Sequence, residues 1–444
     1  MKLSSTTLAL LGSSSLIAAT PYQRMRRFSP QSKHIKRDNS SSDADMLQLS
    51  SDPDFHFEIL RDLSMAPYQG ADIGEVLVAA NQITAGDMDS WYTAFSSLAA
   101  RVHNQAEGID STTYPVSARN AYFREATYYR SSDFFLHGNW SDPRIYTLWD
   151  QQTTAFNSAI ALLPTPGERV TLQADGFQVP VIFYGSGLDG PRPTLLICTG
   201  FDGSQEELYH QLGEPAIQRG WNVITFEGPG QPTVRRDQDL GFIPEWEKVV
   251  TPVVDYALTR GEVDGAKIGL MGVSFGGFLA PRAAAFEHRL AAVIAFDGIY
   301  DFGAGLLAQF GDELTALFNT GNATAVDGAI AGYLAEPNIT TSAKWGIEQG
   351  LWAFNTRSAF EWLTEAQNYT LDGIVDQITA PVFVGDAQAD MFFPGQAKQL
   401  AEHLGDRATY KMFESIDGAG EHCSLGAAVY SSQVIMDWFQ DIVA

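Results

Sequence analysis

A serine flanked by glycines, in Gly272-Val273-Ser274-Phe275-Gly276, is the residue of this 444-residue chain best placed to act as a nucleophile. It follows the strand-like run Lys267-Ile268-Gly269-Leu270-Met271 and precedes a helix-like run from Phe278 to Phe286. A serine held on such a sharp strand-to-helix turn exposes its hydroxyl, and glycines two positions before and after keep side chains off the strained backbone. The backbone N–H of Phe275, at the start of the helix, is expected to point at the oxyanion formed when Ser274 attacks a carbonyl, and the helix dipole adds to that field. The pentapeptide predicts acyl chemistry. A glycine-rich turn with a capping serine would look the same over five residues, so the partners decide.

The chain order serine, acid, histidine is that of α/β-hydrolases. After Ser274 comes the strand-like Ala380-Pro381-Val382-Phe383-Val384-Gly385, then a loop holding Asp386 and Asp390, with Pro394 four residues past the second. A further strand, Tyr410 to Glu414, leads into Gly418-Ala419-Gly420-Glu421-His422, and a last helix is expected from about Leu425 to Phe439. His422 would take the proton from Ser274 and return it to the leaving group, while a carboxylate fixes the imidazole tautomer. The other seven histidines lack this setting: His210, His288 and His403 fall in helical patterns, and His34, His56, His103 and His137 lie ahead of the strands. For the acid, Asp390 competes with Asp386 and with Asp297, which ends the strand Ala292 to Phe296. Asp390 is favoured, because a loop position just beyond the strand lets the carboxylate turn toward the histidine.

The second oxyanion donor should come from the loop after an earlier strand. Thr194-Leu195-Leu196-Ile197-Cys198 is a continuous apolar run, as a parallel strand covered on both faces requires, and it ends in Thr199-Gly200-Phe201-Asp202-Gly203. The donor is assigned to the Phe201 N–H. Asp202 stands beside it, either capping a helix from Gln205 to Ile217 or binding a substrate hydroxyl.

Candidate strands at Val170–Gln173, Val179–Tyr184, Pro193–Cys198, Asn222–Phe226, Ile268–Met271, Ala292–Phe296, Pro381–Val384 and Thr409–Phe413 alternate, after the first two, with helical patterns. That predicts an α/β fold with an eight-strand, mostly parallel sheet. Residues 302–377, between the sixth and seventh strands, are too long for a loop and read as a helical lid insertion. Residues 38–165 read as a helical N-terminal domain ahead of a catalytic domain over 166–444, with helices expected at Met88–Val102 and Ser117–Phe135. The aromatic stripe Tyr122, Phe123, Tyr128, Tyr129, Phe134 and Phe135 is expected to pack against the neighbouring domain. No repeat and no metal-ligand or phosphate-loop spacing occurs, so the expected chemistry uses neither metal nor cofactor. Gly228-Pro229-Gly230 is read as a turn after the fourth strand.

Several stretches together resemble a known family. Ala118-Arg119 with Tyr122 to Arg130, Gly200-Phe201-Asp202, Phe226-Glu227-Gly228-Pro229-Gly230-Gln231, Gly272 to Gly277, Phe392-Phe393-Pro394-Gly395-Gln396 and Glu421-His422-Cys423 resemble the fungal polyketide-tailoring hydrolases. That group includes the heptaketide-shortening hydrolases of pigment pathways and the fusarin-type pathway hydrolases, with 2,6-dihydroxypseudooxynicotine hydrolase as a bacterial relative. The resemblance runs from about residue 50 to the end. It implies an α/β-hydrolase fold, a triad on Ser274, Asp390 and His422, an acidic residue at Asp202 that handles substrate, and cleavage of carbon–carbon or ester bonds or assistance of ring closure. Pro232 departs from the pattern, where a glycine is usual.

Composition bears on compartment and partners. Met1-Lys2 followed by Leu8 to Ala19 reads as a signal peptide over residues 1–19, too short to span a membrane, and 20–37 as a basic propeptide-like segment ending in Lys36-Arg37. Residues 1–37 hold seven Lys/Arg and no Asp/Glu, so their removal would take the net charge from −25 to −32. So acidic a chain is not expected to bind nucleic acid or an anionic membrane. Sequons at Asn39, Asn139, Asn322, Asn338 and Asn368 agree with a secretory route, and Cys198 and Cys423 are expected as free buried thiols. The expectation is a secreted or endomembrane serine hydrolase with a small-molecule acyl or β-dicarbonyl substrate, with a homodimer left open. The alternatives are a broad-specificity carboxylesterase, a prolyl-oligopeptidase-like peptidase, which would need a propeller domain in place of the N-terminal helices, and a binding protein on a disabled hydrolase fold.

Overall fold

The structure, a computed structural model, describes residues 46–444. The signal-peptide and propeptide expectations, and Asn39, lie outside the described residues. Five helices come first: α1 (Pro53–Ser64), α2 (Ile73–Ala80), α3 (Met88–Glu107), α4 (Pro115–Asp133) and α5 (Arg144–Ile160). Their starts and faces follow from local sequence. Asp52 caps α1, its carboxylate accepting from the Asp54 and Phe55 N–H groups at 3.0 and 3.2 Å, and Pro53 sits where a helix needs no N–H. In α3, Trp91, Ala94, Phe95, Leu98, Ala99, Val102 and Ala106 recur every three or four residues and are all buried.

The sheet has eight strands: β1 (Glu168–Gln173), β2 (Gln178–Tyr184), β3 (Arg192–Cys198), β4 (Asn222–Phe226), β5 (Val263–Val273), β6 (Ala292–Phe296), β7 (Val382–Ala387) and β8 (Ala408–Phe413). Their order is β1-β2-β4-β3-β5-β6-β7-β8, with the β1–β2 and β2–β4 pairs antiparallel and all others parallel. This is the α/β-hydrolase arrangement. On β3, Leu196 and Cys198 join one core while Leu195 and Ile197 join the other, the two-residue alternation of a strand covered on both faces. Each such fully buried aliphatic side chain contributes roughly 1.5–3 kcal/mol.

The helices between strands include α6 (Gln205–Leu208) and α7 (Glu214–Gln218), then α8 (Pro232–Gln238), α9 (Glu247–Thr259) and α10 (Gly276–Ala284). The continuous helix expected over 205–217 is interrupted by a π-helical turn at Tyr209–Gly213. Pro215 has no N–H to return to the Gln211 carbonyl, so the ladder loosens just ahead of it. Pro232, the departure from the family pattern, falls in the first turn of α8, where proline is favoured. Residues 302–377 hold α11 (Phe302–Gln309), α12 (Gly311–Phe318), α13 (Ala323–Leu334), α14 (Thr341–Ala353) and α15 (Ala359–Ala366). The chain closes with α16 (Gln396–Leu404) and α17 (Ala428–Val443).

The first five helices share their core with the sheet. Phe123 and Ala126 of α4 and Phe156 of α5 pack with Ile182, Tyr184 and Leu195, and the Phe123 ring stacks on Tyr209 at 5.2 Å. Phe134 stacks on Trp345 of α14 at 5.0 Å, so the same stripe also meets the insertion. Among the described residues no strand precedes β1, which leaves no propeller of the kind a prolyl-oligopeptidase-like peptidase needs. No helix among them is long and apolar enough to cross a membrane.

Candidate active site

Ser274 stands immediately beyond β5 with φ +61°, a left-handed conformation rare for a residue with a side chain. The turn is possible because Gly272 lies against the Gly276 carbonyl, where any Cβ would clash. The pairing of Val273 with Phe296 puts Ser274 and Asp297 at the same level on neighbouring strands, and the Ser274 N–H donates to the Phe296 carbonyl at 3.0 Å. The helix after Ser274 starts at Gly276, two residues earlier than the apolar pattern suggests, so the serine sits at its N-terminus.

His422 comes from the loop after β8. Its Nε2 lies 2.9 Å from Ser274 Oγ. Its Nδ1 lies 3.0 Å from Asp297 Oδ2 and 3.1 Å from Asp390 Oδ1. Two carboxylates on this side keep the ring proton on Nδ1, which leaves Nε2 to accept from the serine. Cys423 and Ser424 both adopt left-handed φ, at +53° and +50°. That kink delays the last helix to Ala428 rather than Leu425. Asp386 is not part of the group: it lies inside β7, and its carboxylate accepts from Tyr410 Oη at 2.7 Å.

The two carboxylates at His422 differ in their surroundings. Burial works to raise Asp390, but the His422 charge and the N–H groups of Phe392 and Phe393, at 2.8 and 3.3 Å, outweigh it and hold this carboxyl below the usual range. Burial raises Asp297, with His422 and the Cys423 N–H opposing and Asp390 adding to the rise. Burial also opposes charging His422, yet the carboxylates of Asp390 and Asp297 lift it well above the ordinary imidazole value. Burial pushes the Cys423 thiol up to about 11, so it is neutral at physiological pH and the carboxylates must supply that effect. Both cysteines are free and buried.

The loop after β3 faces the serine. Gly200 lies so close to the elbow that a Cβ would sit 2.6 Å from the Phe275 nitrogen. Gln231, fully buried, donates through Nε2 to the Thr199 and Gly200 carbonyls at 2.8 and 3.2 Å. Fixing the Gly200 carbonyl fixes its planar peptide, whose N–H belongs to Phe201 and points the opposite way. Neither the Phe201 nor the Phe275 N–H has a partner among the described residues. Gln349 of α14 donates to the Phe201 carbonyl at 3.0 Å and is itself held by His137 at 2.6 Å. None of these supports is visible in sequence, because each joins residues far apart in the chain.

Asp202 does not cap a helix. Ser204 does, in a capping box with Glu207. The Asp202 carboxylate instead accepts from Arg61 Nη1 at 2.8 Å, with Arg130 Nη2 at 3.5 Å. Burial favours its neutral form, and the charges of Arg61 and Arg130 outweigh this to hold it below the usual range. The same arginines bind Glu207 and approach Glu58, a five-residue cluster that sequence reading missed apart from Asp202 and the run holding Arg130. Glu58 and Arg61 on an amphipathic helix carry no motif that would mark them.

Ser274, His422, Asp390, Phe201, Asp202 and Arg61 open on one cavity of about 970 Å³. Ser274, His422 and Asp390 line it on the sheet side, Phe302, Trp345 and Trp362 on the insertion side, and Phe57, Glu58 and Arg61 on the α1 side. Phe392 packs edge-on to the His422 ring at 4.9 Å. Apolar side chains share the wall with polar ones away from the serine and the arginine cluster, among them His56, Gln309, Ser342 and Gln388.

No protein-family model matches the chain. It is 32% identical over 397 residues to a hydrolyase of Penicillium oxalicum (poxO), covering 84% of this chain and 93% of that one. It is 28% identical to the 20-hydroxy-prefusarin hydrolase of Gibberella moniliformis over 88% of this chain and 96% of that one. The solved structure of 2,6-dihydroxy-pseudo-oxynicotine hydrolase superposes with a TM-score of 0.67 at 21% identity, covering 86% of this chain and 95% of that one, a likeness of fold. The chain is a hydrolase and belongs to the family of fungal polyketide-tailoring α/β-hydrolases.

Proposed function

We propose that the protein is a serine hydrolase that opens an acyl bond, carbon–carbon or ester, of a β-dicarbonyl, polyketide-like substrate, or assists the associated ring closure. Ser274 Oγ bonds to the substrate carbonyl carbon as its proton passes to His422 Nε2. The Phe201 and Phe275 N–H groups receive the oxyanion. Collapse breaks the acyl bond, the leaving group takes the proton from the imidazolium, and water repeats the sequence on the acyl-enzyme. Asp390 is the orienting carboxylate, ionised and held by two N–H groups, with Asp297 sharing the same Nδ1. The observation that carries this reading is the 2.9 Å contact between Ser274 Oγ and His422 Nε2 at the floor of the cavity. Asp202 is read as a substrate contact through the carboxylate oxygen that Arg61 does not take.

Incubating the purified protein with a panel of p-nitrophenyl esters and linear β-diketones, with products identified by mass, tests the reading. Turnover of at least one class, lost in Ser274→Ala, is expected. No product from either, or equal turnover by the variant, would overturn it. Ester hydrolysis alone would support the broad carboxylesterase reading.

Secretion or residence in the endomembrane lumen is part of the same proposal. It is supported by the leader-like residues 1–37 and by the exposure of Asn139, Asn322, Asn338 and Asn368. Native material that begins at Met1 and carries no glycan would contradict it.

A further inference from the structure

One carboxyl on the cavity wall has no part in the steps above. Glu58, on α1, is only 6% exposed and lines the cavity that holds Ser274 and His422. Its neighbours divide the available hydrogen bonds unequally. Glu207 accepts from Arg61 Nε and Nη2 at 2.8 and 3.1 Å and from the Ser204 N–H at 2.9 Å, and pairs with Arg130 Nε at 2.9 Å. Asp202 takes Arg61 Nη1 at 2.8 Å. Glu58 Oε2 stands 3.5 Å from Arg61 Nη1 and 3.6 Å from Arg130 Nη1, and Oε1 has no partner among the described residues. Three carboxyls packed around two guanidiniums leave one proton to be held, and the carboxyl with the poorest hydrogen bonds holds it.

We infer that Glu58 is a neutral carboxyl that donates a hydrogen bond to a second carbonyl oxygen of the substrate, the one that becomes an enolate oxygen when the acyl carbon–carbon bond breaks. This rests on the β-dicarbonyl reading above. The Ser274 Oγ–acyl carbon bond forms, the bond from the acyl carbon to the α-carbon breaks, and its electron pair spreads onto that oxygen. The α-carbon receives the proton that His422 took from Ser274, and Glu58 keeps its own. A carboxyl kept neutral in a dry site can donate where a carboxylate would repel the enolate. Burial, reinforced by Asp202 and Glu207 and opposed by Arg61 and Arg130, pushes Glu58 up to about 8. Those four act on it directly, and Asp54 and Asp62 stand one turn to either side of it on α1.

The test compares turnover of a linear β-diketone with that of p-nitrophenyl acetate in wild type, Glu58→Leu and Glu58→Gln. Glu58→Leu should lower diketone turnover about tenfold or more beyond its effect on the ester. Glu58→Gln, whose amide also donates, should recover most of that loss. Wild-type diketone cleavage should fall as pH rises through about 8, and this alkaline limb should be missing in Glu58→Gln. If Glu58→Leu does not fold, the limb alone decides. Equal proportional losses in the two reactions, or a limb retained in Glu58→Gln, would overturn the inference while leaving the function intact. Ester hydrolysis with no diketone cleavage by wild type would remove the carbon–carbon reading and this inference with it.

Discussion

Two charged clusters face the same cavity, and each holds one carboxyl more than it has cations. At His422 the surplus is Asp297 or Asp390; at Arg61 and Arg130 it is one of Glu58, Asp202 and Glu207. In both, the carboxyl with short charged or N–H partners is held low, Asp390 in the first and Asp202 in the second. The one with fewer donors is raised: Asp297, which accepts from one backbone N–H where Asp390 accepts from two, in the first, and Glu58 in the second. The clusters differ in what they join. The first is assembled from loops that leave neighbouring strands of one sheet, and it touches the serine. The second ties α1 and α4 to the loop after β3, so it is also a seam between the N-terminal helices and the sheet. Damage to the first should therefore appear in turnover of every substrate, and loss of an arginine from the second in stability.

The largest effect tests the first half of that contrast. Ser274→Ala should cost on the order of 10³-fold or more in kcat with little change in melting temperature, since the hydroxyl contributes little packing. A fluorophosphonate probe should label the wild type and not the variant. Arg61→Ala tests the other half. It strands Glu207 and Asp202 in a buried site, and removing one partner of such a cluster costs about 3–5 kcal/mol. Denaturant unfolding should show that loss, and Arg61→Lys, which keeps the charge but not the fork, should recover part of it.

Asp390→Asn comes next, with a fall on the order of 10²-fold in kcat from a misplaced tautomer. Its pH profile carries a second sign. His422 is charged below its raised pKa, so activity is lost as pH falls through that value. Removing the Asp390 charge destabilises the imidazolium, lowers that pKa, and should move the acid limb to lower pH even as the maximum falls. The smallest effect belongs to Asp386→Asn, less than about tenfold, because that carboxylate is bonded to Tyr410 rather than to the histidine. A larger loss at Asp386 than at Asp390 would show that the wrong carboxylate had been paired with His422.

Much of this was legible in the chain. The eight strands are local, strongly patterned runs, and each candidate overlaps the observed strand with boundaries shifted by at most a few residues, except β5, which begins at Val263. The elbow was legible because glycine spacing reports backbone crowding directly. Asp390 and Asp297 were both visible as candidates, but a chain read linearly offers one acid per histidine. It does not show that parallel register sets the ends of β5 and β6 level and leaves room for both. The π-helical turn at 209–213 and the late start of α17 depend on backbone strain that residue periodicity does not record.

Sequence by itself determined the strand order along the chain and singled out Ser274 and His422 as candidates for one kind of chemistry, because those follow from short-range patterning and from residue type. Tertiary structure alone decided which side chains share a proton. Glu58 and Arg61 lie more than 140 residues before Asp202 and Glu207, and Gln349 lies 148 beyond Phe201. Each pair meets only because the N-terminal helices and the insertion helix α14 are packed beside the loop after β3. Burial there sets the pKa values and the hydrogen-bond partners, and burial is a property of the packed molecule rather than of any segment of it.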